Sequence, residues 1–308
     1  MVYRRDNLYG VFGLTAIRLP ASSPADNQFA MSRTFAALAG ALVRGVTAPL
    51  SARQRKRTLA RLIESLARES VAVIECARGP IRMHELRSAH AASTVARFFS
   101  DEPETLAWID TFAGGVFLDV GANIGIYTLY AALNADLRVV AVEPNGINFG
   151  MLVEHLALNP CGARVAPLCI ALGARTGLDT LHMHQVGVGV GGAALGPAWS
   201  AQRNTAPSFS QTIPCYTLDD LVGRLGVAAP RYIKIDVDGT EQDILRGAHA
   251  TLPHVESLLM EVEHRDPHDI ERTLEGPLRE LGFSEDQAVR MQGSGRNRLY
   301  RNQRWSDA

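Results

Sequence analysis

From residue 101 onward, short runs rich in valine, isoleucine and leucine alternate with stretches of helical periodicity. Five of these runs are predicted to be buried strands: residues 116–120, 138–143, 164–170, 232–237 and 257–262. A helix near 269–281 and strands near 283 and 299–301 would complete the sheet. Strands that alternate with helices of this length predict an α/β fold with a doubly wound, mostly parallel sheet.

The first hundred residues follow a different pattern. Residues 1–28 contain several glycines and prolines and predict an irregular lead-in, and residues 29–70 predict a helix broken near Pro49. Apolar runs at 71–76 and 81–86 flank a Gly-Pro pair, which is typical of a hairpin. We therefore predict two parts: residues 1–100 as an N-terminal extension of lead-in, helices and hairpin, and residues 101–308 as the catalytic domain.

Composition excludes some classes of function. The net charge is -1, so nothing in the overall charge favours nucleic acid. The longest apolar stretch, residues 35–50, is interrupted by Arg44 and is too short for a membrane span. The four cysteines lack metal-ligand spacing and no secretory signal is visible, so we expect a cytoplasmic protein with reduced thiols.

A glycine-rich segment, Asp119-Val-Gly121-Ala-Asn123-Ile-Gly125, directly follows the first buried strand. In doubly wound sheets the ligand binds at this carboxyl end, where glycine lets the backbone approach it closely. A dinucleotide fingerprint set on Gly121 would need glycine at position 123 and glycine or alanine at 126, but the chain has Asn and Ile there. The loop therefore disfavours a pyrophosphate and suits a ligand with an amino-acid end.

Two carboxylates stand at the ends of other predicted strands. Glu143 lies 22 residues after Gly121, where a carboxylate can accept both hydroxyls of a ribose. Lys234 and Asp236 share a face of the fourth strand, and a charge inside such a strand is costly unless it is paired. Glu241, in the first turn of the next helix, would orient Lys234 or stabilise the helix N-terminus.

Five motifs occur in a characteristic order: 119–125, Glu143-Pro144-Asn145, Ile170-Ala171-Leu172, Thr217-Leu218-Asp219-Asp220-Leu221, and the run from Lys234 to Glu241. Together they resemble the FkbM-type methyltransferases, a family of S-adenosylmethionine-dependent O-methyltransferases, over about residues 97–265. The resemblance implies the Rossmann-like class I methyltransferase fold with a seven-stranded sheet, and S-adenosyl-L-methionine as the cofactor. The family usually has glutamate where this chain has Asp238, so the reach of that carboxylate differs.

The resemblance also implies which residues bind the cofactor. The methionine part would be held by the glycine loop, through Asp119, Gly121, Asn123 and Gly125. Glu143 would lie at the ribose, Ala171 near the adenine, and Asp236 beside the sulfonium and the incoming acceptor. Asn145, which can also cap the next helix, is included among the cofactor-binding residues.

Transfer to an aliphatic hydroxyl should need a general base. Asp236 is the first candidate by position, and His264, just after the fifth strand, is the second. His182 and His184 are the third candidates, and Glu241 is included as a residue that orients Lys234. Asp236, Asp238 and Glu261 could in principle bind Mg²⁺, but we predict no metal site, because their spacing is unspecific.

The remaining expectations concern the acceptor and two other classes of function. Residues 173–212 do not follow the strand–helix rhythm, and we predict a long loop whose glycine-rich part, 187–192, is a flexible flap over the acceptor. The acceptor is expected to be a small molecule or glycan, a saccharide or a secondary metabolite. The N-terminal extension has two candidate roles, covering the acceptor pocket or forming a homodimer.

The alternatives are a nicotinamide- or nucleotide-sugar-dependent enzyme on the same fold, and a non-catalytic cofactor-binding scaffold. The glycine-loop mismatch and the absence of a Tyr-x-x-x-Lys pair argue against the first. The presence of Asp119, Glu143 and Asp236 together argues against the second.

Overall fold

The computed structural model describes residues 24–196, 205–262 and 266–306. The chain divides into two compact units between Ser70 and Val71. Most of the predicted lead-in, residues 1–23, lies outside the described residues. The prediction of irregular structure is wrong for residues 24–28, because a helix already begins at Pro24.

Two helices make up the described part of the first unit. They are α1 (Pro24–Thr47) and α2 (Ala52–Glu69). The predicted break near Pro49 is confirmed. The side chain of Ser51 caps α2, and Arg55 donates a hydrogen bond to the carbonyl of Thr47 at 3.2 Å, which satisfies the end of α1. Within the described ranges, neither these helices nor any later one combines the length and the hydropathy that crossing a bilayer requires.

The second unit contains the predicted alternation of strands and helices. Its strands are β1 (Val71–Cys76), β2 (Gly79–His84), β3 (Gly115–Val120), β4 (Leu137–Val142), β5 (Val165–Leu168), β6 (Ala171–Leu172), β7 (Gly177–Met183), β8 (Ala194–Leu195), β9 (Phe209–Tyr216), β10 (Tyr232–Ile235), β11 (Ser257–Glu261), β12 (Phe283–Glu285) and β13 (Asn297–Asn302). Its helices are α3 (Ala89–Ala96), α4 (Pro103–Asp110), α5 (Ile126–Ala132), α6 (Gly146–Leu158), α7 (Leu218–Gly223), α8 (Glu241–Arg246), α9 (Pro267–Ile270), α10 (Gly276–Glu280) and α11 (Gln287–Gln292). A π-helical stretch, Glu271–Glu275, joins α9 to α10.

A seven-stranded sheet forms the centre of this unit, in the order β12-β13-β11-β10-β3-β4-β5. The five strands from β11 to β5 are parallel, and β13 runs antiparallel to both of its neighbours. This arrangement confirms the predicted α/β class and the mostly parallel seven-stranded sheet. Ile235 lies opposite Val120 on one side and Met260 on the other, so the strands β3, β10 and β11 end at the same edge.

Both faces of the sheet are covered, as a parallel sheet requires. Phe117 and Tyr232 belong to the hydrophobic cluster on one face, together with residues of α4 and α5. Leu118 and Ile233, the next residue along each strand, belong to the cluster on the other face with residues of α7 and α8. This strict alternation explains why the strands read as continuous apolar runs in the sequence.

The predicted hairpin is present as β1 and β2, paired from Val71 opposite His84 to Cys76 opposite Gly79. Ile81 and Met83 are fully buried in the same hydrophobic cluster as Phe117. The hairpin therefore packs within the second unit, and the assignment of residues 1–100 to a separate extension stays a prediction.

The region 173–212 differs from its prediction as a long loop. A second sheet of four short strands, in the order β6-β9-β7-β8, occupies much of it. Leu181, Met183, Ile213 and Cys215 alternate with exposed or half-buried neighbours and together form a small buried cluster. This period-two pattern was hard to recognise because each strand contributes only two buried apolar residues to the cluster, with His182 between one pair and Pro214 between the other.

Candidate active site

A cavity of about 220 Å³ opens at the carboxyl ends of β3, β4 and β10. Its wall includes six of the residues that the sequence singled out: Gly121, Asn123, Glu143, Asn145, Ala171 and Asp236. Asp119, Gly125 and Glu241 lie off this wall, and His264 lies outside the described residues. The cavity is thus where doubly wound sheets bind their ligands.

The glycine loop is shaped by two close contacts. Gly121 has φ 83°, and a Cβ atom on it would stand 1.9 Å from the main-chain oxygen of Asp236. Gly125 has φ 94°, and a Cβ atom there would stand 2.5 Å from Leu152 of α6. Only glycine tolerates both the positive φ and these contacts. The two glycines therefore let the loop lie tightly between β10 and α6.

Glu143 connects the glycine loop to the start of α6. Its carboxylate accepts hydrogen bonds from the backbone N–H of Asn123 at 2.7 Å and of Asn145 at 2.8 Å. Burial raises the pKa of Glu143 to about 7, although these two hydrogen bonds oppose the shift. The carboxylate is part of the cavity wall and keeps acceptor positions for a ligand.

Asp119 supports the loop from inside the protein. It is fully buried, its Oδ2 accepts a hydrogen bond from the Thr128 hydroxyl at 2.6 Å, and it lies opposite Lys234 in the sheet. Its Oδ1, and the Oδ1 of Asn123, are buried with no hydrogen-bond partner in the part of the chain that the structure describes. Unpaired buried oxygens are costly, so the loop is built for further hydrogen bonds.

Lys234 and Asp236 form an ion pair at the end of β10, with 2.5 Å between Nζ and Oδ2. The Lys234 side chain is 1% exposed, and its Nζ lies 4.7 Å from the ring centre of Tyr127. The Asp236 side chain is 27% exposed and lines the cavity. Burial is the largest single effect and raises the pKa of Asp236, but the Lys234 charge, the polar contacts and the Arg296 charge together outweigh it, so the pKa is lowered. Asp236 is therefore an ionised carboxylate that a ligand can reach.

Glu261 stands beside Asp236 on the same wall. It ends β11, and burial together with the Asp236 charge raises its pKa to about 9. Arg296 contacts Glu261 at 3.1 Å and Glu102 at 3.4 Å. The sequence reasoning considered Glu261 only as an unspecific metal ligand and missed Arg296. The signal for Glu261 was its place at the end of the strand next to Asp236.

The glycine-rich segment predicted as a flap also lines the cavity, through residues 190–193. It is tied down: the Asn148 side chain donates to the Val190 carbonyl at 3.0 Å and accepts from the Gly189 N–H at 2.8 Å. The Ser88 hydroxyl donates to the Val188 carbonyl at 2.6 Å. These contacts hold the segment in one position against α6 and the start of α3, and its flexibility stays a prediction. Asn148 was missed, although it lies one helical turn after the motif residue Asn145.

A second cavity of about 150 Å³ adjoins the first and shares Gly121, Asn123 and Asp236 with it. Its far side is formed by Thr94 and Arg97, at the end of α3. The two cavities thus lie on either side of the shared residues, and Asp236 lines both.

The other candidate catalytic residues have different surroundings. Glu241 is buried and accepts a hydrogen bond from the Gly239 N–H at 2.9 Å, which fixes the turn after β10. His182 and His184 lie off the cavity wall; their Nδ1 atoms contact the Ser210 hydroxyl at 2.8 Å and the Gly192 carbonyl at 3.3 Å. Among the described residues, no group of three or more His, Cys, Asp or Glu is arranged to hold a metal ion.

Comparison of the sequence with known families and proteins identifies one family. Residues 119–285 match the family model described as the methyltransferase FkbM domain. The hexuronic acid methyltransferase AglP of Haloferax volcanii is 28% identical over 160 residues, which are 52% of this chain and 61% of AglP. The 31-O-demethyl-FK506 methyltransferase FkbM of Streptomyces tacrolimicus is 25% identical over 212 residues, covering 60% of this chain and 80% of that protein. The chain thus spans only about three fifths of the length of AglP.

Solved structures show more distant likenesses. A SAM-dependent methyltransferase from Agrobacterium tumefaciens aligns with a TM-score of 0.40 and 11% identity, over 76% of this chain and 70% of that one. A precorrin-6y C5,15-methyltransferase from Geobacter metallireducens aligns with a TM-score of 0.35 and 14% identity, over 59% of this chain and 70% of that one.

Proposed function

Because the chain belongs to the FkbM methyltransferase family, we propose that it transfers the methyl group of S-adenosyl-L-methionine to an oxygen atom of a small acceptor. The observation that carries the proposal is the cavity wall on which Gly121, Asn123, Glu143 and Asp236 converge from three parallel strands. The sheet order and the family match both support it.

The wall suits a nucleoside that ends in an amino acid. Glu143 offers a carboxylate to the two ribose hydroxyls, and Ala171, Leu181 and Leu195 offer an apolar surface to a base. The unpartnered Oδ1 of Asn123 suits the ammonium group of the methionine part. No backbone cradle for a pyrophosphate is present in the glycine loop, since position 123 carries a side chain.

In this mechanism the protein positions the reactants and moves one proton. When bound, the cofactor supplies an electrophilic methyl group. The Asp236 carboxylate first accepts a hydrogen bond from the hydroxyl group of the acceptor and then takes its proton. Lys234 holds the Asp236 carboxylate in one orientation. The segment 190–193 covers the cavity and excludes water.

The acceptor class is proposed to be a hydroxylated saccharide or secondary metabolite. It is supported by the names of the two relatives, one described as acting on hexuronic acid and the other on 31-O-demethyl-FK506. The enzyme on nicotinamide or a nucleotide sugar, and the non-catalytic scaffold, remain the competing hypotheses, and the test below separates them.

Calorimetric titration with S-adenosylhomocysteine tests the proposal. We expect micromolar binding to the wild type and loss of binding in Glu143→Ala. Glu154→Ala is the matched control, because Glu154 lies on α6 with its side chain 44% exposed and in contact with Arg87. NAD and a uridine diphosphate sugar are titrated in parallel. Tight binding of either of these, with none of S-adenosylhomocysteine, would overturn the proposal.

Incubation with S-adenosylmethionine and glucuronic acid, or a hydroxylated macrolide, then tests the activity. We expect one of these acceptors to gain the mass of one methyl substitution in the presence of the wild type. Cofactor binding without transfer to any hydroxylated acceptor would favour the scaffold.

A further inference from the structure

The carboxyl groups of Asp236 and Glu261 lie next to each other at the ends of neighbouring strands. Ile235 and Met260 are paired in register, so the next residues, Asp236 and Glu261, lie side by side where β10 and β11 end. Neighbouring strands are about 4.8 Å apart, which brings such side chains into hydrogen-bond range. Both carboxyls also line the same cavity. Two carboxyl groups held this close cannot both ionise freely, so the pair retains one proton.

The carboxyl groups in and around the pair outnumber the neighbouring cations. Lys234 on β10 lies 2.5 Å from Asp236, and Arg296, just before β13, lies 3.1 Å from Glu261. Two further carboxyls share these cations: Asp119 lies opposite Lys234 on β3, and Glu102, before α4, contacts Arg296 at 3.4 Å. Four carboxyls therefore face two cations.

The other titratable groups nearby do not supply a further cation. Glu143 lines the same cavity, and its pKa of about 7 leaves it mostly ionised at pH 8, so it adds to the excess of carboxylates. Burial, together with the charge of Glu102, raises the pKa of Tyr127 on α5, so its hydroxyl stays neutral. Asp101 is paired with Arg97 of α3 at 3.5 Å. The site can thus accept one more positive charge. When such a charge binds, the pair can respond by releasing its exchangeable proton.

Building on the proposed function, we propose that Asp236 and Glu261 act as a single proton-accepting pair, which releases its shared proton when the positively charged cofactor binds and takes up a proton from the acceptor during transfer. Glu261 is thereby a positioning residue for Asp236 and the store of the proton.

The proton balance closes over one turnover. With the cationic cofactor bound, both carboxyls are ionised and the hydroxyl of the acceptor faces them. As the oxygen–carbon bond forms and the carbon–sulfur bond breaks, the bond electrons stay on sulfur and the hydroxyl proton passes to the pair. The pair is then singly protonated beside a neutral product, and the total charge of the site is unchanged.

The pair therefore distinguishes the cofactor from its product by charge. S-adenosylmethionine and S-adenosylhomocysteine differ in the sulfonium, while their amino-acid and adenosine ends are the same. A unit charge a few ångströms away lowers the pKa of a neighbouring acid by about two at an effective dielectric constant of about 20. Because the pKa of Glu261 is about 9 without a ligand, a shift of this size brings it to about 7.

Proton release on binding tests the proposal without any acceptor. Each ligand is titrated by calorimetry at about pH 8, in two buffers of different ionisation enthalpy, and the number of released protons follows from the difference in heat. We expect S-adenosylmethionine to release roughly 0.8 of a proton more than S-adenosylhomocysteine. Equal proton counts for the two ligands would overturn the proposal.

Two variants identify the source of the proton. Glu261→Gln keeps a donor for Asp236 but cannot titrate, so the difference between the two ligands should vanish while both still bind. Asp238→Asn is the matched control, since Asp238 lines the same cavity but is not paired in register with Glu261; its difference should match that of the wild type. Loss of the difference in Asp238→Asn, or its persistence in Glu261→Gln, would sink the assignment.

These outcomes are distinct from a failure of the proposed function. If neither ligand binds the folded wild type, the methyltransferase proposal itself fails, and with it the inference. If both bind with the same proton count, the cofactor site stands and the pair plays no part in sensing its charge. Should Glu261→Gln not fold, the comparison of the two ligands on the wild type still decides.

Discussion

Gly121 lies so close to Asp236 that no side chain fits between the glycine loop and the end of β10. A Cβ atom would stand 1.9 Å from the Asp236 carbonyl oxygen, at a φ of 83° that alanine rarely adopts. The variant Gly121→Ala must therefore push the loop away from β10. We expect its affinity for S-adenosylhomocysteine, measured by calorimetry, to fall at least tenfold, and its melting temperature to fall as well.

Gly150→Ala is the control for this experiment. Gly150 lies inside α6, with nothing within 4 Å of an added Cβ atom. Alanine there should leave the affinity unchanged and stabilise the helix by about 0.5–1 kcal/mol. Equal behaviour of the two variants would show that the contact between Gly121 and Asp236 has no importance for the site.

Ligand affinity should depend on pH through Glu143. Burial raises the pKa of this group to about 7, so the carboxyl loses its proton as the pH rises through that value. The ionised form is a stronger acceptor for the ribose hydroxyls. We expect the affinity for S-adenosylhomocysteine to increase roughly fivefold between pH 6 and 8, measured by calorimetry. In Glu143→Gln this rise should be absent; an identical rise in the variant would assign the titration to another group.

Asn148 should control the mobility of the glycine-rich segment. Its buried side chain makes both hydrogen bonds that join α6 to Gly189 and Val190. Asn148→Ala removes these two hydrogen bonds. We expect it to weaken cofactor binding about tenfold, because part of the binding free energy is then spent on ordering the segment. Hydrogen exchange of the amides at 187–193 should accelerate in the free protein. Unchanged exchange would mean that other contacts hold the segment.

His155 should couple stability to pH. Its buried ring contacts the Ile124 carbonyl through Nδ1 at 2.7 Å and accepts the His84 N–H through Nε2 at 3.0 Å, so it must be neutral. Burial lowers its pKa below the unfolded value of 6.5. The stabilising effect is therefore complete above about pH 6.5 and is lost as the pH falls through the lower, folded pKa.

Urea unfolding between pH 5 and 8 checks this coupling. His155→Leu should cost about 1–3 kcal/mol at pH 8, because two backbone groups lose their partner, and should lose less stability than the wild type on acidification. His249→Leu, at an exposed position, is the control and should follow the wild type. A pH dependence that survives in His155→Leu would locate the titration elsewhere.

The fold was predictable from the sequence where an element has its own local pattern of residues. The buried parallel strands, the hairpin and the glycine loop each have a local signature, and Glu143 follows from its distance to Gly121. The small second sheet was missed because its apolar positions, such as Leu181 and Ile213, are separated by glycine-rich sequence and come together only when β7 pairs with β9.

The site was only partly predictable for a related reason. Arg296 and Glu102, which complete the charge network, are 194 residues apart in the sequence. Their meeting depends on the antiparallel placement of β13 beside β11, which no local pattern specifies. The role of Asn148 likewise depends on its hydrogen bonds to a segment more than 40 residues away in the sequence.

The second sheet leaves and rejoins the main fold at a single place. Ala171 is paired with Cys215 and Leu172 with Tyr216, and the Gly173 N–H donates to the Tyr216 carbonyl at 3.0 Å. The segment between these anchors begins and ends at one place, so a change in its length need not displace the strands that carry Glu143 and Asp236. Because residues 190–193 of this segment line the cavity, such a change would reshape the space around the ligand while those two carboxyls keep their positions.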